Sequence, residues 1–303
     1  MFIQQQNQNF NIMKKILILS VLLLPSILFC QQSKSKFDLF IEKISLRQSF
    51  QGVKEKEEAA YFNFVDPVNK ESSYNYSFAI GYNLYPKLNI RPFYEHQKNS
   101  LIEKKQNTML AGVDLQTSII GENDEAKITP YIIFKTNFKN DKVKSTKGLQ
   151  SSFFLSPSFN GKGGKFYPLP DAVNNFGWLS YYYNVYGGVE YEGRYTAKDA
   201  TLEGNTWRWA MRITGKIYPL AKALKERVEI IPDFTYRRGF SNTTTAEATV
   251  NKLWKLGMNV VLLTKEQTKI IDLKFGVDYT QGVDPTKGFD NQQVWIYSIK
   301  IKI

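Results

Sequence analysis

The single histidine of the chain, His96, precedes Ser100 by four residues in the segment Tyr94-Glu-His-Gln-Lys-Asn-Ser. A histidine near a serine suggests nucleophilic hydrolysis, in which the base must reach the nucleophile and a third group must orient it. No His-x-Ser spacing is present, and Ser100 lies in a run of charged and polar residues. We therefore expect His96 to lie at a strand end, at a rim, without a catalytic role.

Carboxylates with a two-residue period are the second candidates for chemistry. Glu190 and Glu192 share one face of a strand, and so do Asp272 and Asp278. These four acids lie among basic residues, namely Arg194, Arg208, Arg212, Lys216 and Lys274. Mixed charges on one wall form interlocking ion pairs, because an unpaired buried charge is costly. The sequence therefore predicts no enzyme, although a lipid-modifying enzyme with an unfamiliar site stays open.

No segment predicts a metal or cofactor site. One Cys and one His cannot build the usual Cys/His zinc site. The segment Gly161-Lys-Gly-Gly-Lys165 lacks the Gly-Lys-Ser/Thr ending of a phosphate-binding loop. The acidic segment Gly121-Glu-Asn-Asp-Glu125 is typical of a hydrated turn. We expect no cofactor and no metal.

A basic stripe is the most distinctive polar feature, because Arg208, Arg212 and Lys216 follow one another every four residues on one strand face. Two interpretations stay open. The stripe pairs with Glu190, Glu192, Glu229, Asp233, Asp272 and Asp278, or it creates a field that favours anionic solutes. The residues predicted to line a common interior are Arg208, Arg212, Lys216, Glu190, Glu192, Arg194, Asp272, Lys274 and Asp278.

Composition excludes several protein classes. The 303 residues carry a formal net charge of +12 and include 21 Phe, 18 Tyr and 5 Trp. A mean hydropathy of −0.35 excludes a helical membrane bundle, which needs several apolar runs of about 20 residues. The excess positive charge is dispersed along the chain, so we expect no nucleic-acid partner.

The first thirty residues predict export. Residues 16–29 carry no charge and follow Lys14 and Lys15, as in a secretory signal peptide. We expect residues 1–30 to be this signal, with cleavage after Cys30. The alternative is a lipoprotein signal that acylates Cys30, and Phe29 disfavours it because that position is normally small.

Beyond the signal, polar and apolar residues alternate in about twelve segments, which predicts strands with two different faces. Residues 205–217 set Trp207, Trp209 and Met211 against Arg208 and Arg212. Between segments we expect short turns alternating with long charged loops. The predicted long loops are residues 97–107, 139–147, 197–204, 239–247 and 281–292.

Two architectures suit this pattern, a soluble β-sandwich and a transmembrane barrel. Aromatic residues at strand ends, the alternating connection lengths and the closing strand Trp295–Ile303 favour an all-β, antiparallel up-and-down transmembrane barrel of about 12 strands. The chain thus resembles a Gram-negative outer-membrane β-barrel protein. The resemblance implies an outer-membrane location, insertion by the assembly machinery and chain ends in the periplasm. Residues 57–303 are the predicted barrel, and residues 31–56 are a periplasmic or lumenal lead-in or an extra strand.

The polar strand face predicts a porin-like or channel-like protein that passes or binds small polar or anionic solutes. The alternative is a non-enzymatic scaffold or accessory subunit of an outer-membrane complex. The expected partners are outer-membrane lipids, the outer-membrane assembly machinery and, in the alternative, a protein in the same membrane.

Overall fold

A computed structural model describes residues 40, 43–48, 59–65, 73–84, 90–100, 105–118, 128–159, 174–243, 249–268 and 271–302. The predicted signal peptide, with Cys30, lies outside the described residues, as do the segments 121–125 and 161–165. The strands are β1 (Ile44–Arg47), β2 (Ala60–Val65), β3 (Ser73–Tyr82), β4 (Ile90–Asn99), β5 (Gln106–Ser118), β6 (Ile128–Asp141), β7 (Thr146–Phe159), β8 (Asn174–Phe176), β9 (Leu179–Thr196), β10 (Gly204–Pro219), β11 (Val228–Asn242), β12 (Val250–Leu263), β13 (Asp272–Asp284) and β14 (Phe289–Lys302).

Twelve of these strands close into a barrel in which each strand pairs antiparallel with its neighbours in the chain. The last strand, β14, pairs with β2 and completes the ring. The three-residue strand β8 pairs only with β9, so the barrel passes directly from β7 to β9. The predicted up-and-down barrel of about 12 strands is therefore confirmed. None of the helices in the described residues is long and apolar enough to span a membrane.

The short strand β1 shares a position in the barrel with β2. Both pair with β3, β2 along residues 73–77 and β1 along residues 79–82. The two strands run in the same direction, so β1 extends the ladder of β2 toward the end of β3. In the described part of residues 31–56, which were predicted as a lead-in or an extra strand, β1 lies in the barrel wall.

The two faces of each strand differ sharply in exposure. In β10, Arg208 is 1% exposed and faces the interior, whereas the adjacent Trp209 is 58% exposed on the outer surface. In β12, Trp254, Leu256 and Met258 are outward and exposed. These phases agree with the alternation in the sequence, since successive side chains of a strand point to opposite faces.

The predicted alternation of long and short connections is wrong. The terminal rim is the end of the barrel where β14 ends at Lys302, and the far rim is the opposite end. All five predicted long loops lie at the far rim, where β6 and β7 are joined by residues 142–145 and β13 and β14 by residues 285–288. At these two connections the strands continue into the charged segments because alternate charged side chains point inward, as Lys139 and Asp141 do, and are buried there.

Candidate functional site

The barrel interior is lined by buried charged side chains from many strands. Three acids pair with more than one base: Glu95 with Lys135 and Lys287; Glu192 with Lys139, Arg194 and Arg208; and Glu229 with Lys216 and Lys274. Arg237 pairs with both Glu190 and Asp284. The remaining pairs are Arg91–Asp114, Arg212–Asp233 and Lys300–Asp278. Each of the three stripe residues thus has an acidic partner on a neighbouring strand. The geometry therefore fits the pairing interpretation of the stripe.

The structure places the nine residues predicted to line the interior on the inner face. Eight of them, all except Asp272, take part in the ion pairs described above. Asp272 lies half-buried at the terminal rim, where the β13–β14 register sets it opposite Lys302. It lies at the opposite end of β13 from Asp284, away from the charges near the far rim.

Glu192 is the centre of the densest cluster of charges. Its carboxylate accepts hydrogen bonds from Lys139 Nζ at 2.9 Å, from Arg208 at 2.8 Å and from Arg194 Nε at 3.2 Å. Both Glu192 and Arg208 are almost completely buried. Opposite charges interact strongly where water is excluded, so this carboxylate holds three strands, β6, β9 and β10, together.

A second cluster surrounds Asp233 on β11. Arg212 Nε donates to Asp233 Oδ1 at 2.9 Å, and Arg212 Nη2 donates to Oδ2. The same guanidinium donates to the Tyr186 hydroxyl at 2.8 Å. Arg212 therefore forms a bidentate ion pair with both oxygens of Asp233. This geometry orients the guanidinium and neutralises the carboxylate.

The connection between β13 and β14 folds into the interior. We call residues 284–288 the inward loop. Its three successive backbone carbonyl oxygens accept hydrogen bonds from the opposite wall: Pro285 O from Lys139 Nζ at 2.6 Å, Thr286 O from Gln150 Nε2 at 3.1 Å and Lys287 O from Gln106 Nε2 at 2.7 Å. These donors belong to β5, β6 and β7, so the inward loop crosses the interior.

The local sequence explains the shape of the inward loop. Asp284 caps the 3-10 turn Pro285–Lys287, because its Oδ1 accepts from the Thr286 backbone N–H at 3.2 Å and from the Thr286 hydroxyl at 2.6 Å. The turn ends at Gly288 with φ +66°, a conformation that favours glycine. A Cβ on Gly288 would also lie about 2.5 Å from Asp141 Oδ2 on the opposite wall.

The direction of the inward loop depends on a second glycine. Gly282 has φ +118° and lies where the β13–β14 register shifts. A Cβ at this position would collide with the carbonyl oxygen of Lys252 on β12. This irregularity bends the end of β13, as bulges do, and the chain enters the interior two residues later.

The inward loop borders two cavities in the interior. The arginine cavity is lined by Arg208, Arg212 and Arg237 together with Thr286. The lysine cavity is lined by Lys255 and Lys287 and has a volume of about 70 Å³. Lys287 lies in the connection between the strands, where burial lowers the pKa of its ammonium to about 8. It therefore stays largely protonated at pH 7.

His96 lies on the outer surface near the end of β4 and not in the interior. Its Nδ1 is 3.2 Å from the Tyr76 hydroxyl, and its Nε2 is 3.1 Å from Asn107 Oδ1. Ser100 is engaged elsewhere, since its hydroxyl oxygen accepts from the Tyr74 backbone N–H at 2.8 Å. The structure thus does not bring the histidine and the serine together as a nucleophile and its base.

The described carboxylates of the interior that were candidates for chemistry are engaged with basic side chains. The carboxylates of Glu190, Glu192 and Asp278 each contact at least one basic group. Within the described ranges, no group of three or more His, Cys, Asp or Glu side chains could hold a metal ion. What the interior does offer is charge and hydrogen-bonding capacity around two cavities.

Comparison with known proteins leaves the function to be inferred from this geometry. No protein-family model and no curated protein matches the chain. Since a barrel architecture by itself hosts many functions, the polar interior must carry the inference.

Reasoning from the sequence missed several residues of this site. Lys139 and the inward loop fell within predicted surface loops, and Glu95 and Lys255 had not been singled out. The turn signal Asp284-Pro-Thr-Lys-Gly is visible in the sequence. It predicts a turn but contains no information on whether that turn points outward or into the barrel.

Proposed function

We propose that this protein is an outer-membrane β-barrel of a Gram-negative bacterium whose interior passes or binds small polar or anionic solutes. The observation that carries this proposal is the contrast between the two faces of one closed sheet. Charged and amide side chains line the interior around two cavities, and large apolar side chains cover the outside. This is the reverse of a soluble domain, whose polar face meets water.

The outer surface supports the membrane location. Trp209, Trp254 and Trp295 are more than half exposed, and so are Met258 and Ile299. An apolar surface that extends around a whole barrel would be unfavourable in water, and monomeric soluble proteins rarely expose such large patches. The segment 16–29 adds a reason of a different kind, because a signal peptide would deliver the chain to the periplasmic side.

Met211→Arg tests the membrane location. Met211 lies midway along β10 and is 41% exposed on the outer surface. We expect the substitution to reduce stability by about 2–4 kcal/mol, because a lipid-facing charge near the bilayer midplane is costly. Heat-modifiable migration on a denaturing gel and urea unfolding in lipid vesicles measure the effect. Met211→Leu is the control, and equal stability of the two variants would argue against a lipid-facing surface.

The charge balance of the interior supports the choice of solute. Among the described residues, the inward basic ones are Arg47, Arg91, Lys135, Lys139, Arg194, Arg208, Arg212, Lys216, Arg237, Lys255, Lys274, Lys287, Lys300 and Lys302, and the inward acidic ones are Glu95, Asp114, Asp141, Glu190, Glu192, Glu229, Asp233, Asp272, Asp278 and Asp284. Basic groups outnumber acidic ones, so the interior potential favours anions.

Conductance of the protein in planar lipid bilayers tests the proposed pathway. We expect small single-channel steps, since the inward loop and the ion pairs narrow the interior. In a potassium chloride gradient the reversal potential should indicate a preference for chloride. Conductance that never rises above background would overturn the proposal of a conducting pathway.

A second function is favoured by one observation, the close filling of the interior. Arg91, Glu95 and Arg208 are at most 1% exposed, as in a barrel closed by its own side chains. We propose as the alternative a non-enzymatic scaffold or accessory subunit in an outer-membrane complex. Affinity purification from native membranes would then recover a stoichiometric partner, and repeated recovery of the barrel alone would exclude this role.

A further inference from the structure

The lysine cavity differs from the rest of the interior in how its charges are satisfied. Three acidic residues line it, Asp233, Asp278 and Asp284. Each has a basic partner: Asp233 pairs with Arg212, Asp278 with Lys300 at 2.8 Å and Asp284 with Arg237 at 3.3 Å. The negative charge at this cavity is therefore largely neutralised by residues other than its two lysines.

Within the described residues, this arrangement leaves Lys255 without an ion pair. In the β11–β12 register it lies directly opposite Asp233, and both residues are on the inner face. Arg212 approaches the same carboxylate from β10 and takes hydrogen bonds to both of its oxygens. Among the residues that the structure describes, Lys255 makes no ion pair and no hydrogen bond. Its ammonium lines the cavity with its charge uncompensated by direct contact.

Lys287 supplies a second, weakly held ammonium. Its nearest carboxylate oxygen, Glu95 Oε1, is 3.8 Å away. Glu95 is also contacted by Lys135 at 3.4 Å and accepts a hydrogen bond from Gln97. An anion entering the cavity would therefore compete with a long contact rather than with a close ion pair.

Neutral hydrogen-bonding groups complete the lining. The carboxamides come from Gln48, Asn75, Gln97, Asn99 and Gln106, and the hydroxyls from Tyr61 and Thr280. Carboxamides both donate and accept, which suits ligands that carry hydroxyl groups. Gln97 and Gln106 already donate to Glu95, to Gln97 and to the Lys287 carbonyl oxygen, so a ligand hydroxyl would share or replace these bonds. The cavity volume of about 70 Å³ accommodates only a few water-sized groups, so the solute that it takes must be small.

We infer that the lysine cavity binds a small polyhydroxylated anion, whose phosphate or carboxylate group contacts Lys255 and Lys287 and whose hydroxyls contact the surrounding carboxamides. This inference rests on the proposed function, because it names the class of solute that the interior takes. Lysine ammonium groups supply positive charge but do not impose the bidentate geometry of an arginine guanidinium. Phosphate and carboxylate groups therefore both suit the site.

Isothermal titration calorimetry on the protein purified in detergent tests the inference. The probes are glycerol 3-phosphate and glycerate, with glycerol as the neutral control. We expect the two anions to bind and glycerol to give no heat of binding. Lys255→Gln should weaken anion binding at least tenfold, whereas Lys255→Arg should retain it. Lys252→Gln is the matched control, since Lys252 is on the same strand but exposed on the outer face.

The outcomes separate this inference from the proposed function. Equal affinity in the Lys255→Gln and Lys252→Gln variants, or no binding of either anion, would overturn the ligand site. Conductance in bilayers without any binding would overturn the ligand site and leave the solute pathway standing. Heat-modifiable migration of each variant shows that a lost affinity does not come from a lost fold.

Discussion

Replacing residues 285–288 by an Asn-Gly turn is expected to raise the single-channel conductance of the barrel several-fold. Asp284 and Phe289 are paired across β13 and β14, so a two-residue hairpin turn joins them directly. The replacement removes the segment that borders both cavities. It also releases Lys139, Gln150 and Gln106, which hold its carbonyl oxygens. The two cavities should then merge into a wider polar passage.

A matched control for this experiment is the connection 142–145 at the same rim. It has the same length as residues 285–288, but Lys142, Val143 and Ser145 are exposed and it joins β6 to β7 outside the interior. The same Asn-Gly exchange there should leave conductance unchanged. An equal conductance of both variants and the wild type, measured in planar bilayers, would mean that the inward loop does not limit passage.

Glu192→Gln is expected to lower the free energy of unfolding by about 3–5 kcal/mol. The carboxylate is buried and has Lys139, Arg194 and Arg208 around it. Glutamine keeps the size of the side chain but removes the negative charge. Three basic groups would then share the same enclosed region without their counter-charge, and removal of one partner from a buried ion cluster is strongly destabilising.

Urea unfolding in lipid vesicles, followed by tryptophan fluorescence, measures this loss. Glu203→Gln is the control, because Glu203 is exposed in the connection between β9 and β10. Surface substitutions of this kind usually change stability by less than about 0.5 kcal/mol. If the two variants unfold at the same urea concentration, the cluster around Glu192 does not stabilise the barrel.

Local periodicity made the strands and their faces predictable. The alternation of Trp207, Trp209 and Met211 with Arg208 and Arg212 assigns each side chain to a face without knowledge of any other strand. The reason is that the pleat of a strand sends successive side chains to opposite sides. The number of strands followed in the same way, by counting segments with this period.

The same local reasoning failed at the far rim. Charged runs such as residues 139–147 were interpreted as loops because charge is typical of a solvated surface. In the structure Lys139 reaches Glu192, and Asp141 is buried beside Gly288. A charged residue on the inner face of a barrel has partners on other strands. Charge density alone therefore cannot tell a solvated loop from the inner wall of a barrel.

The sequence by itself determined the fold class, the approximate strand count and the alternation of the two strand faces. Only the tertiary structure decided which charges pair, that Arg212 rather than Lys255 holds Asp233, and that residues 284–288 turn inward. The face of the sheet on which a side chain lies depends only on the two-residue alternation within its own strand. The ion-pair partner of a buried charge depends on closure of the barrel, which brings strands distant in the chain around one interior. There, a carboxylate pairs only with the basic side chains that reach it.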